Sequence, residues 1–133
     1  MEIKVFDATD ENMQPVNDFI HGLLPEDCPF GVLNKIDLAV EEIYINIAHY
    51  AYAPGTGQVQ ISCGVDNNVL TVIFRDSGKS FDPLAKKDPD ITMSAEERDI
   101  GGLGIFLTKK FMDSVTYEYT DGRNVLTISK NLS

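Results

Sequence analysis

Between positions 33 and 50 the apolar residues Leu33, Ile36, Val40, Ile43, Ile47 and Tyr50 recur at alternating steps of three and four. That spacing fits a helix with one buried face, so the stretch from Val32 to about Tyr52 is a long amphipathic helix that needs a layer to pack on. The sequence that follows supplies one. After the breaker run "APGTG", the segments "QVQISCGV" and "VLTVIFRD" are strand-like and are separated by "DNN", a turn signal suited to a hairpin. The end of the chain, "SVTYEYTDGRNVLTISK", is a second hairpin turning at Asp121 and Gly122. Upstream, "EIKVF" is a short first strand. "DATDENMQPVNDFIHGLL" is a helix entered through Thr9 or Asp10, with acidic residues near its positive end, and "LPEDCPFG" is a linker. Residues 84 to 100 are polar, contain Pro89 and lack a sustained period, which marks a long excursion; a helix from about Leu103 to Met112, entered through "GG", follows it. The order β, α, α, β, β, excursion, α, β, β implies an α+β fold, a two-layer sandwich with helices on one face of a mostly antiparallel sheet. At 133 residues, residues 1–133 are expected to form a single domain around one core.

Charge and composition remove several classes of function. A formal net charge of −10 argues against direct nucleic-acid binding, which needs clustered Lys and Arg to neutralise phosphate. The N-terminal "MEIKVFDATDENMQ" has no basic region followed by an apolar core, and no run of about eighteen apolar residues occurs, so a cytoplasmic protein with no membrane contact is expected. The two cysteines, Cys28 and Cys63, lie far apart and in no CxxC spacing, which makes two reduced thiols the expected state.

The long helix carries polar residues where it borders its buried stripe. Glu42 and Asn46, four apart, stack one turn over the next, at a boundary between core and solvent. Either Glu42 continues a solvated acidic face with Asp37 and Glu41 while Asn46 caps or hydrogen-bonds locally, or the two look into a cleft. Asp76 leaves the strand "VLTVIFRD" and is followed two residues on by Gly78. This is either an ordinary turn or a carboxylate placed to accept a hydrogen bond from an exocyclic amine, beside backbone with no side chain. In "IGGLGIFLTKKFMDSV", Gly101, Gly102 and Gly104 precede or open a helix. They serve close packing, or they expose N–H groups to an anion at the positive end of the helix dipole. Ser77 and Ser80 lack a GxSxG elbow and a histidine partner, so no nucleophile is read there.

Taken in order, Glu-x-x-x-Asn on a helix, Asp-x-Gly after a strand, a polar excursion and Gly-x-Gly opening a helix resemble the GHKL ATP-binding family, the Bergerat fold. More narrowly, "EEIYINIAHYAY", "DSGKSFDPL" and "GGLGIFLTKKFMDSVTYEY" resemble the small bacterial anti-sigma factor serine kinases of the RsbW-like branch, over about Leu33 to Lys130. The resemblance implies ATP and Mg2+ as cofactors. It puts Glu42 at the general-base position, Asn46 at the metal ligand, and Asp76 at the adenine amine with Gly78 beneath the ring and Phe81 among the nucleotide contacts. Residues 84–100 would form a lid over the phosphates, and Gly101, Gly102, Leu103 and Gly104 would hold the phosphate end. It further implies a serine protein kinase that acts on an anti-anti-sigma (STAS-type) protein, a sigma factor as alternative partner, and a homodimer. A non-catalytic, nucleotide-dependent clasp on a sigma factor or other regulator is the alternative. One departure is that "NIAHYAY" has Tyr50 directly before Ala-Tyr, where many members of the branch have His, with His49 shifted by one. Lys86, Lys87 and Arg98 in the excursion are either solvated or meet phosphate.

Overall fold

The computed structural model describes residues 1–85 and 102–133. The chain forms β1 (Glu2–Asp7), a 3-10 turn (Asp10–Asn12), α1 (Met13–His21), α2 (Phe30–Asn46), a π turn (Ile47–Ala51), β2 (Gln58–Asp66) and β3 (Val69–Asp76). A 3-10 turn (Pro83–Ala85), α3 (Gly102–Phe111), β4 (Ser114–Thr120) and β5 (Arg123–Asn131) complete it. The order is the one expected from the sequence. Most of the expected excursion lies outside the described residues, with Lys86, Lys87 and Arg98 in that part.

The five strands form one sheet in the order β1-β2-β3-β5-β4, and every pairing is antiparallel. Two tight turns set the registers. Asn67 and Asn68 have φ of 51° and 62°, and Asp121 and Gly122 have φ of 54° and 76°. Positive φ at both central positions is the type I′ hairpin turn, whose twist matches that of the strands, and Asn, Asp and Gly adopt it most readily.

Strand alternation then sorts the side chains. Val59, Ile61 and Cys63 of β2, Leu70, Val72 and Phe74 of β3, and Leu126 and Ile128 of β5 are buried under the helices. They meet Val16 and Ile20 of α1 and Ile36, Ala39, Val40, Ile43 and Tyr44 of α2. Each fully buried aliphatic or aromatic side chain contributes about 1.5–3 kcal/mol, so any rotation of α2 would expose several of them at once. The core therefore fixes which way the polar edge of α2 faces.

Several residues of α2 and its extension depart from the expected stripe: Leu33 is only half-buried, and Ala39, outside the stripe, is buried. Tyr50 is 57% exposed. The regular helix gives way after Asn46 to a π turn, whose i→i+5 bonding adds a residue to the turn and rotates the later side chains out of phase. Tyr44, absent from the expected stripe, is fully buried. Its hydroxyl donates to Thr9 O at 2.6 Å and accepts from the Thr9 N–H at 3.1 Å, tying the β1–α1 connection to α2. His21 Nε2 lies 2.6 Å from Asp37 Oδ1, which joins α1 to α2. His49 Nε2 meets Asp10 Oδ1 at 2.5 Å, and this joins the π turn to the first 3-10 turn.

Both cysteines are free thiols, as expected. Burial pushes the Cys63 thiol up to about 12, so it packs as a small apolar group. Among the described residues no helix is long and apolar enough to cross a membrane.

Candidate functional site

The polar edge of α2 faces α3. Asn46 Nδ2 donates to Glu42 Oε1 at 3.1 Å, one helical turn away, and both side chains are half-buried. The Asn46 Oδ1 has no hydrogen-bond partner among the described residues. An amide oxygen is a ligand that a hard cation accepts, so the pair fits magnesium chemistry in kind. Gly104, in the first turn of α3, lies against the Glu42 carboxylate: a Cβ at 104 would overlap it. The missing side chain is what lets α3 come this close to α2. One turn further on, the buried Thr108 donates its hydroxyl to Gly104 O at 2.9 Å.

A second group of polar residues sits at the end of β3. Asp76 is 5% exposed. Its Oδ1 accepts from the Gly78 N–H at 2.9 Å and from Asn124 Nδ2 at 3.0 Å, and its Oδ2 has no partner among the described residues. Burial holds this carboxyl above the ordinary carboxylate range, and the hydrogen bonds from Asn124 and Gly78 oppose the shift only in part. A buried carboxylate oxygen without a donor is a ready acceptor for one.

The loop after Asp76 is fixed from two sides. On one side it meets the end of α2. The Lys79 N–H donates to Ala51 O at 2.9 Å, and Gly78 packs so closely on Ala51 that a Cβ would overlap the Ala51 carbonyl. Glycine at 78 was expected to leave room for a planar ligand; in the fold it makes room for the π turn. Tyr52 adds a strut, since its hydroxyl accepts from the Ser77 N–H at 2.8 Å and donates to Gln58 O at 2.5 Å. On the other side, Asn124 Oδ1 accepts from the Phe81 N–H at 3.1 Å. Phe81 is 52% exposed.

The expected site residues thus fall into two clusters joined through the end of α2: Glu42 and Asn46 with Gly104, and Asp76 with Gly78 and Phe81. Gly102 and Leu103 lie in the first turn of α3. Gly101 lies outside the described residues. Sequence reasoning missed Asn124, Tyr117, Tyr52 and Thr108. Asn124 had left a signal, because it occupies the parity of Leu126 and Ile128 on β5, where a polar side chain is unexpected.

A family model, histidine kinase-like ATPase domain, matches residues 6–130. Over 98 residues the chain is 31% identical to the serine-protein kinase RsbW of Bacillus cereus and of Bacillus anthracis, covering 71% of this chain and 61% of each relative. Over 97 residues it is 26% identical to the serine/threonine-protein kinase BtrW of Bordetella bronchiseptica, covering 72% of this chain and 68% of that one. The chain thus matches less than two thirds of the length of the RsbW relatives. The match spans both polar clusters and the antiparallel sheet that holds them: the chain belongs to the histidine kinase-like ATPase domain family.

Proposed function

We propose that the chain binds ATP with magnesium and acts as a serine protein kinase on a small anti-anti-sigma (STAS-type) partner, with a sigma factor as its alternative partner. The observation that carries this reading is the Glu42–Asn46 pair, hydrogen-bonded on one face of α2 and closed on one side by α3 at Gly104. The kinase names of the RsbW and BtrW relatives support it. Residues 1–133 as one ATP-binding domain, with a lid at about 84–100, a homodimer and a cytoplasmic location belong to the same reading.

In this reading each group has a task its chemistry suits. Asn46 Oδ1 would hold the magnesium ion, which when bound orients the triphosphate and offsets charge on the transferring phosphoryl group. The described residues contain no cluster of three His, Cys, Asp or Glu to hold a metal; phosphate oxygens and water would complete the set that Asn46 begins, as magnesium commonly prefers. Glu42 accepts the proton of the attacking serine hydroxyl. Asp76 Oδ2 accepts a hydrogen bond from the exocyclic amine of adenine, with Gly78 and Phe81 lining the base. The first turn of α3, with Gly102, Leu103 and Gly104, would offer N–H groups and the positive end of the helix dipole to the phosphates; the same role expected of Gly101 falls outside the described residues.

Phosphotransfer from γ-labelled ATP to a STAS-type protein tests the reading. Label on a serine with wild type, and a loss of roughly 100-fold or more in Glu42→Ala, is the expected result. ATP binding without transfer to a cognate partner would contradict the kinase and leave the same cleft as a nucleotide-dependent clasp.

A further inference from the structure

Asn124 is 7% exposed and sits directly opposite Asp76 in the β3–β5 register. Its amide makes four hydrogen bonds. Nδ2 donates to Asp76 Oδ1 at 3.0 Å and to Lys79 O at 2.8 Å. Oδ1 accepts from the Phe81 N–H at 3.1 Å and from the Tyr117 hydroxyl at 2.5 Å. A primary amide has two N–H bonds and two lone pairs, so its capacity is full and none is left for a ligand. The partners also dictate its orientation. A carboxylate and a carbonyl only accept and a backbone N–H only donates, so turning the amide over would break three of the four bonds.

This arrangement bears on Asp76. With Oδ1 held by Asn124 and by the Gly78 N–H, the carboxylate cannot rotate freely, and Oδ2 is the oxygen left to receive a donor. We propose that Asn124 is the positioning residue of the nucleobase site: it sets the rotation of the Asp76 carboxylate so that Oδ2 meets the exocyclic amine of a purine, and with the same amide locks the backbone at 79–81 to that site. The inference rests on the ATP reading above and adds to it the origin of base discrimination. Without Asn124, the remaining donor to Oδ1 among the described residues is Gly78, which belongs to the same loop, so carboxylate and loop loosen together.

The test compares affinities for ATP and for purine riboside triphosphate, which lacks the 6-amino group, in wild type, Asn124→Ala, Asn124→Asp and Tyr117→Phe. Melting curves check that each variant is folded. Wild type is expected to prefer ATP by roughly tenfold to a hundredfold, the worth of one hydrogen bond to a buried carboxylate. In Asn124→Ala and Asn124→Asp that ratio should collapse toward one while the affinity for purine riboside triphosphate stays within a few-fold. The Asp variant is isosteric but sets a second carboxylate against Asp76. Tyr117→Phe removes one donor to Oδ1 and should narrow the ratio by a smaller factor, which keeps the test decisive if the Asn124 variants do not fold. A general weakening of the fold would lower both affinities together. An unchanged ratio in every folded variant overturns the role of Asn124 while leaving ATP binding intact. Wild type that binds neither nucleotide overturns the ATP reading and this inference with it.

Discussion

Asp76 is ionised at a cost that its surroundings offset only in part. Its folded pKa lies above the ordinary 3.8, chiefly through burial. Between 3.8 and that raised value the folded chain holds a proton that the unfolded chain has released, so stability falls as pH rises through this window and stays reduced above it. Asp76→Asn keeps an oxygen for the Gly78 and Asn124 donors and removes the charge. Its melting temperature at pH 7 is therefore expected to exceed that of wild type, with the gap closing as pH falls below 3.8. If Asp76 receives the adenine amine as proposed, the same change sets an N–H against it and should weaken ATP binding by roughly tenfold to a hundredfold. A lower melting temperature at pH 7 with unaltered ATP affinity would contradict both halves. Asp76 was legible in the sequence because a carboxylate leaving a strand before Ser-Gly stands out. Its partner Asn124 was not, since the pairing depends on register between strands 48 residues apart.

The two ends of α2 differ in how readily they could be read. The stripe from Ile36 to Ile47 is regular and its burial follows from period alone. Tyr50 fails because a π turn depends on contacts made later in the chain, here the Lys79 N–H on Ala51 O and the approach of Gly78. The meeting of α2 and α3 is equally non-local, and it explains Gly104. In an isolated helix Gly→Ala stabilises by about 1 kcal/mol, whereas here the added Cβ overlaps the mobile end of Glu42. The carboxylate can swing away, so Gly104→Ala is expected to stay folded with equal or slightly higher stability and to lose roughly 100-fold in phosphotransfer. In the Gly104→Ala/Glu42→Ala double variant the loss should match that of Glu42→Ala alone, because both changes remove the same aligned carboxylate. Fully additive losses in the transfer assay would show that Gly104 acts through something else.

At the scale of the whole molecule, the sheet and its hairpins do the assembling. Antiparallel registers set Asp76 opposite Asn124, the core fixes the facing of α2, and the end of α2 joins the two polar clusters. Strand order within the sheet was not legible from alternation, which gives the face of each residue but not its neighbours; the turn residues Asn67, Asn68, Asp121 and Gly122 were, through the positive φ they accept. The fold class therefore followed from sequence pattern, and the shared edge between the clusters required tertiary contacts. In the proposed kinase Asn46 grips a nucleotide through a divalent ion while Glu42 acts on the incoming hydroxyl. Calorimetric titration of ATP, with and without magnesium, into wild type, Asn46→Ala and Glu42→Ala tests it most directly. The expected result is tight magnesium-dependent binding in wild type, loss of the magnesium-dependent part in Asn46→Ala, and near wild-type affinity in Glu42→Ala. Equal magnesium-dependent affinity in all three proteins, or no binding to wild type, would contradict it.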